Sequence, residues 1–245
     1  FLVYSPERED PGRTNIKINT IPKVLGGYSN NCKLIGKKFY NKIFKEVVLT
    51  KNLEIAEFTK IFENVFRAVN IKLVNELKFF SNKLKINFND VIKASSTKPF
   101  GFMPFYPGPG IGGHCIPIDP LYLSFKAKQH GEKMSLINTS FKVNYRTTKN
   151  ISNIIFKTLK LTRPKILIIG IAYKKNIDDV RESPALKIIS DLKKRGSHVN
   201  YYDPLIKQLP SNRNYFSKMI SIKLSKSSLK KYDGVLICTD HDSIN

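Results

Sequence analysis

The sequence predicts an α/β protein in three parts: the end of one parallel sheet, a central all-helical segment built on one long helix, and an incomplete second sheet of doubly wound type. Three observations carry that prediction. From about Asn52 to Leu84, apolar residues such as Phe58, Phe62, Val65, Phe66, Val69, Leu73, Leu77 and Phe80 recur at spacings of three and four, the period of a helix. KILIIGIAYK (165–174) is a continuous apolar run that turns at Gly170, as a buried parallel strand does. After it come helix SPALKIISDLKKRG (183–196), strand HVNYYDP (198–204) and strand YDGVLICTD (232–240), a β-α-β-x-β series.

The remaining elements follow in order. FLVY reads as a strand entered part-way, followed by the loop SPEREDPGRTN. Next come the apolar segment IPKVLGGYS (21–29), a helix over 30–44 and the β-branched run KEVVLT (45–50). The long helix follows and suits a dimer seam. Residues 97–119 are irregular and rich in Gly, Pro and aromatics, and helices resume at 121–130 and 136–161. Arg163-Pro164 marks a boundary, so the predicted domains are 1–51, 52–162 and 163–245. Both ends read as cut.

The chain has 245 residues, 41% hydrophobic and 25% charged, the balance of a soluble globular protein. No run approaches the ~20 apolar residues of a membrane span, and the opening lacks a signal-peptide pattern. A cytoplasmic protein without membrane contact is the expectation. The formal net charge of +23 raises nucleic-acid binding, but no nucleic-acid-binding signature accompanies it. A diffuse positive field favours anionic small substrates. Cys32, Cys115 and Cys238 are far apart without CxxC spacing, which argues against a zinc site or a disulfide framework.

Chemistry concentrates in GPGIGGHCIPIDP (108–120). Gly110, Gly112 and Gly113 let the backbone approach a ligand and turn successive N–H groups toward one spot. Asp119-Pro120 has the form of an N-cap followed by Pro at N1, which places a helix start near Cys115 and favours its thiolate. The competing reading is a tight turn around a small buried thiol. For Cys32 and Cys238 the core reading is preferred.

At this point GPGIGGHCIPIDPLYL resembles the active-site loop of the nucleotide-sugar 6-dehydrogenases, the UDP-glucose/GDP-mannose dehydrogenase family. SPEREDPG with IPKVLGG (5–27), AEFTKIFENVFRAVNIKLVNEL (56–77) and GIAYKKNIDDVRESPALKII (170–189) agree in the same order. SPEREDPG, IPKVLGG and TKPFGFMPFYPGPGIGGHC look most like the subgroup acting on UDP-N-acetylglucosamine or a related UDP-N-acetylhexosamine. The resemblance implies the end of an N-terminal Rossmann-like NAD domain, a central helical dimerisation domain and a partial C-terminal Rossmann-like UDP-binding domain. It also implies a homodimer through the long helix and a role in bacterial surface-polysaccharide precursor synthesis. UDP-N-acetylmannosamine and UDP-glucose remain alternative substrates, and a non-catalytic UDP-sugar-binding remnant is the alternative of another class.

The implied reaction oxidises the sugar C6 alcohol twice, to aldehyde and then acid, with two NAD+. Cys115 matches the cysteine that attacks the aldehyde and passes through a thiohemiacetal to a thioester. Lys60 and Asn64, at i and i+4 on the long helix, match the lysine that stabilises the alkoxide and the asparagine that holds water or hydroxyl. Glu7 matches a glutamate near the substrate and the hydrolytic water, and Asp119 an aspartate assisting proton transfer. Each of those two also suits a plain turn carboxylate. Phe105, Tyr106, Gly108 and Gly112 match the loop that wraps the nucleotide sugar, with packing as the alternative for Tyr106. Lys174 matches a substrate-contacting lysine and Arg181 an arginine that reaches NAD. No metal is implied. Two departures stand out: Asn176 replaces the usual acid of AYKKD, and no Gly-x-Gly-x-x-Gly turn follows a strand.

Overall fold

The computed structural model describes residues 1–10, 12, 15–209 and 218–244. Pro11, Arg13 and Thr14 of the predicted loop lie outside the described residues. The chain divides into two compact units, Phe1–Phe66 and Arg67–Asn245.

In the first unit β1 (Val3–Tyr4), β2 (Lys23–Gly27) and β3 (Val47–Leu49) form one sheet in that order, and α1 (Asn30–Tyr40) joins β2 to β3. β2 and β3 are parallel, with Lys23 opposite Val47, whereas β1 runs antiparallel to β2. The Ser29 hydroxyl caps α1 by accepting the Cys32 N–H, and every residue of β2 is buried. α2 (Leu53–Lys83) starts in this unit and matches the predicted long helix within a residue at each end.

The second unit carries α3 (Phe88–Ser95), α4 (Asp119–Gln129) and α5 (Ser135–Leu159) ahead of its sheet. α3 was not expected; Asn87 caps it through the Asn89 N–H, and Phe88 and Ile92 are buried one turn apart. The sheet comprises β4 (Lys165–Ile169), β5 (His198–Tyr202) and β8 (Gly234–Ile237), all parallel, in the order β5-β4-β8. α6 (Pro184–Lys194) crosses from β4 to β5, and its buried Leu186, Ile188, Ile189 and Leu192 join Ile166, Ile168, Val199 and Tyr201 in the core. At about 1.5–3 kcal/mol per buried aliphatic side chain, this face dominates the stability of the unit. β6 (Gln208–Leu209) and β7 (Met219–Ile220) pair antiparallel, and α7 (Lys226–Leu229) precedes β8.

β4 is the central strand: the chain passes from it to β5 on one side and later returns to add β8 on the other. The carboxyl ends of β4 and β8 therefore border a crevice at a topological switch point. Gly170 makes the turn out of β4: its φ is +73° and a Cβ there would lie 1.9 Å from the Thr239 carbonyl oxygen. Among the described residues, no helix is long and apolar enough to cross a membrane.

Candidate active site

The cysteine loop lies in the second unit, in a stretch without helix or strand between α3 and α4. Side chains on two long helices hold it. Asn75 of α2 accepts the Gly108 N–H at 2.8 Å, and Asn144 of α5 accepts the Ile111 N–H at 2.9 Å. A third tie joins the loop to the segment before α6, where the Gly113 N–H donates to the Arg181 carbonyl at 2.8 Å. Gly112 permits this approach, since a Cβ on it would stand 2.6 Å from Tyr173 Cβ and 3.0 Å from Pro184 Cδ.

These contacts take one amide out of the expected glycine nest: the Gly113 N–H has an internal acceptor, as does that of Ile111 between the glycines. The glycines serve close packing on Tyr173 and Pro184. The helix start also shifts by one residue: α4 begins at Asp119 itself, with Ile118 as its cap and Pro120 in its first turn. The reason is local, because the Cys115 carbonyl accepts both the Ile118 N–H at 3.0 Å and the Asp119 N–H at 2.8 Å. Cys115 is half-buried four residues ahead of Asp119, and its carbonyl closes the turn that leads into α4.

Tyr173, Lys174 and Lys175 follow β4 and line an open cleft of about 160 Å³ with Pro109 and Gly110 of the cysteine loop, the start of α6, and Cys238 to Asp240. Pockets for drug-sized ligands run to about 300–1,000 Å³, so this cleft takes only part of a ligand of that size. Lys174 and the capped amino end of α6, where Ser183 Oγ accepts the Ala185 N–H, favour an anionic part, whereas Lys175 is paired with Asp242 and Asp240. Burial pushes the Cys238 thiol up to about 12, which leaves it inert beside the cleft.

Arg181 is exposed and bound bidentately to Asp179, through Nε at 2.9 Å and Nη2 at 2.6 Å to Oδ2. That hydrogen bond raises the guanidinium above its ordinary value, with smaller contributions from Tyr173 and Cys115. Cys115 therefore stands within electrostatic reach of Arg181. Phe105 is half-buried, while Tyr106 is 63% exposed and Gly108 has no neighbour within 4 Å of a Cβ position.

Three expected residues lie in the first unit. Asn64 is buried and Lys60 half-buried one turn before it on α2. Glu7 accepts the Arg8 and Glu9 N–H groups at 2.9 Å and pairs with Lys23 at 3.3 Å. Burial raises its carboxyl, but the Glu9 amide and Lys23 outweigh that and hold it below its ordinary value. Its neighbour Arg8 bonds Glu63 at 2.7 Å, so the SPER loop is tied to the turn of α2 that carries Asn64.

The central-domain model of the UDP-glucose/GDP-mannose dehydrogenase family matches residues 54–146, and the UDP binding domain of the same family matches residues 167–245. The chain belongs to this family. Protein CapL of Staphylococcus aureus is 34% identical over 98% of this chain and 57% of its own length. UDP-N-acetyl-D-glucosamine 6-dehydrogenase of Salmonella typhi is 30% identical over 98% of this chain and 57% of its own. The solved UDP-D-ManNAc dehydrogenase of Pyrococcus horikoshii matches with a TM-score of 0.85 and 30% identity, covering 99% of this chain and 56% of that one. The chain spans about half the length of the curated relatives it matches.

Membership in the UDP-glucose/GDP-mannose dehydrogenase family implies NAD, for which Arg181 is the one expected contact here. GPGIGG is no pyrophosphate cradle, because no strand precedes it and its Ile111 and Gly113 amides are bonded within the protein. The residues present do not by themselves fit the dinucleotide. Sequence reading also missed Asn75, Asn144, Asp203 and His241, polar side chains that bond distant segments and that no motif marks.

Proposed function

We propose that the chain is a large part of an NAD-dependent UDP-N-acetylhexosamine 6-dehydrogenase, with Cys115 as the sulfur that carries the acyl group. The observation that supports this best is the docking of the cysteine loop on the segment after β4. The Gly113–Arg181 hydrogen bond, with Gly112 against Tyr173 and Pro184, gives Cys115 and the Lys174 turn one support.

In this reading Lys174 and the helix end of the cleft take the UDP phosphates, and Phe105, Tyr106 and Gly108 approach the nucleoside and sugar. The Cys115 thiolate adds to the C6 aldehyde carbon, and the carbonyl electron pair moves onto oxygen. The alcohol would first be oxidised to that aldehyde and the adduct then to a thioester; each oxidation would need a hydride acceptor, the chemistry NAD+ would supply when bound, with Arg181 as the contact expected from this chain. Water then breaks the carbon–sulfur bond, giving the carboxylate and restoring the thiol. Lys60 steadies the C6 alkoxide, Asn64 holds the hydroxyl or water, and Glu7 and Asp119 accept protons.

The motifs favour N-acetylglucosamine as the sugar, and the name of the Pyrococcus horikoshii neighbour favours N-acetylmannosamine. Calorimetric titration with both UDP-N-acetylhexosamines, UDP-glucose and UDP tests the reading. UDP and one N-acetylhexosamine bind, and the chain alone accumulates no NADH. Failure of all four to bind, or steady NADH production by this polypeptide alone, contradicts it.

A cytoplasmic homodimer through α2 belongs to the same reading. Leu73, Leu77 and Phe80 of that helix are 50%, 42% and 59% exposed at spacings of four and three, the pattern of a helix seam. Sedimentation of L77K/F80K as a monomer, against a dimer for the parent, checks it.

A further inference from the structure

The carboxyl end of β4 is tied down from both sides by one buried pair. Asp203, at the end of β5, is 2% exposed, and its Oδ2 accepts the Ile171 N–H at 2.7 Å and the Ala172 N–H at 3.3 Å. Its Oδ1 accepts the Leu205 and Ile206 N–H groups at 2.9 and 3.0 Å. His241, beyond β8, is also 2% exposed, with Nε2 3.3 Å from Asp203 Oδ2. Its Nδ1 accepts the Asn176 N–H at 3.0 Å.

That last bond fixes the tautomer: Nδ1 is the acceptor, so the proton sits on Nε2 and faces Asp203. His241 thus bridges the end of β5 to the far side of the turn that carries Lys174. Asn176 has a φ of +62°, a left-handed backbone that asparagine tolerates and that a hydrogen bond to its amide helps to hold.

We propose that His241, seated on Asp203, is a positioning residue: it sets the turn 173–176 so that Lys174 faces the cleft and meets the ligand's phosphate. The proposal rests on the reading that UDP occupies this cleft. His241 itself makes no contact with ligand, because it is buried beneath the turn.

The test is titration of the whole chain with UDP, using H241F and H241N. The phenylalanine keeps the ring volume and removes both polar contacts, whereas asparagine Oδ1 takes the place of Nδ1 and keeps the acceptor for Asn176. H241F weakens UDP binding about tenfold or more, H241N stays within about threefold of the parent, and only H241F speeds exchange of the Asn176 amide. Equal UDP affinity in H241F and the parent overturns the proposal. If the parent itself does not bind UDP, the underlying reading fails and this one with it. The unaltered chain gives an answer that needs no variant: its nitrogen spectrum shows His241 protonated on Nε2, and protonation on Nδ1 alone overturns the proposal.

Discussion

Asn176 and Asp242 hold each other by two hydrogen bonds: Asn176 Nδ2 donates to Asp242 Oδ2 at 2.6 Å, and the Asp242 N–H donates to Asn176 Oδ1 at 3.0 Å. Asp242 also pairs with Lys175 at 2.6 Å. An amide supplies both the donor and the acceptor that this arrangement needs, and a carboxylate supplies only acceptors. The asparagine that departs from the expected acid is thus matched to its own neighbour.

N176D sets two carboxylates against each other and lowers Tm at neutral pH, and D242N in the same chain restores it. Thermal denaturation of the two single variants and the double variant measures the coupling; additive effects contradict it. The Lys175 hydrogen bond, followed by that of Asn176, holds the Asp242 carboxyl below its ordinary value. Its contribution is present above the unfolded-state value near 4 and fades as pH falls through the lower folded one.

Lys72, on α2, is 1% exposed; its Nζ donates to Ser140 Oγ at 3.2 Å and lies 3.7 Å from the Phe141 ring centre. Burial lowers its ammonium to about 8. Between about pH 8 and 10.5 the unfolded chain binds more protons than the folded one, so stability rises with pH across that window. K72M removes the buried charge, and Ser140 keeps its bond to the Ile137 carbonyl. Denaturant titration finds the variant more stable at pH 7 by on the order of 1–3 kcal/mol, with a gap that closes toward pH 10.5.

Much of the fold was legible because its signals are local and periodic. The stripe from Phe58 to Phe80 specified α2, and the apolar run before Gly170 specified β4. α3 escaped because its two core residues, Phe88 and Ile92, are too few to set a period. Cys115, Lys174 and the glycines carried a motif in order and spacing. Asn75, Asn144, Asp203 and His241 carried none: each acts through a partner at least 31 residues away in the chain. No motif marks Lys72, whose burial is against Ser140 and Phe141 of α5.

The loop glycines separate by substitution. A Cβ on Gly112 meets Tyr173, Pro184 and the Glu182 carbonyl, so G112A costs about 1–3 kcal/mol of stability and loosens the loop. Gly108 has open space around it, so G108A keeps the parent Tm and loses UDP-sugar affinity. Melting curves beside ligand titrations distinguish the two; a large Tm loss in G108A contradicts the assignment.

N144L leaves the Ile111 N–H without its acceptor on a residue that is 5% exposed. The cost is about 1–3 kcal/mol, and it falls on the loop. Hydrogen exchange reads it as faster exchange at Ile111, with the core amides of β4 unchanged.

The central claim is that Cys115 carries the sugar's C6 carbon, and the most direct measurement needs no turnover. The chain is mixed with the C6-aldehyde of UDP-N-acetylglucosamine, labelled with carbon-13 at C6, and the carbon spectrum is recorded for the parent and for C115S. The account predicts a thiohemiacetal resonance in the parent that is absent from C115S, although both bind UDP. A hydrated aldehyde alone in the UDP-binding parent would contradict it.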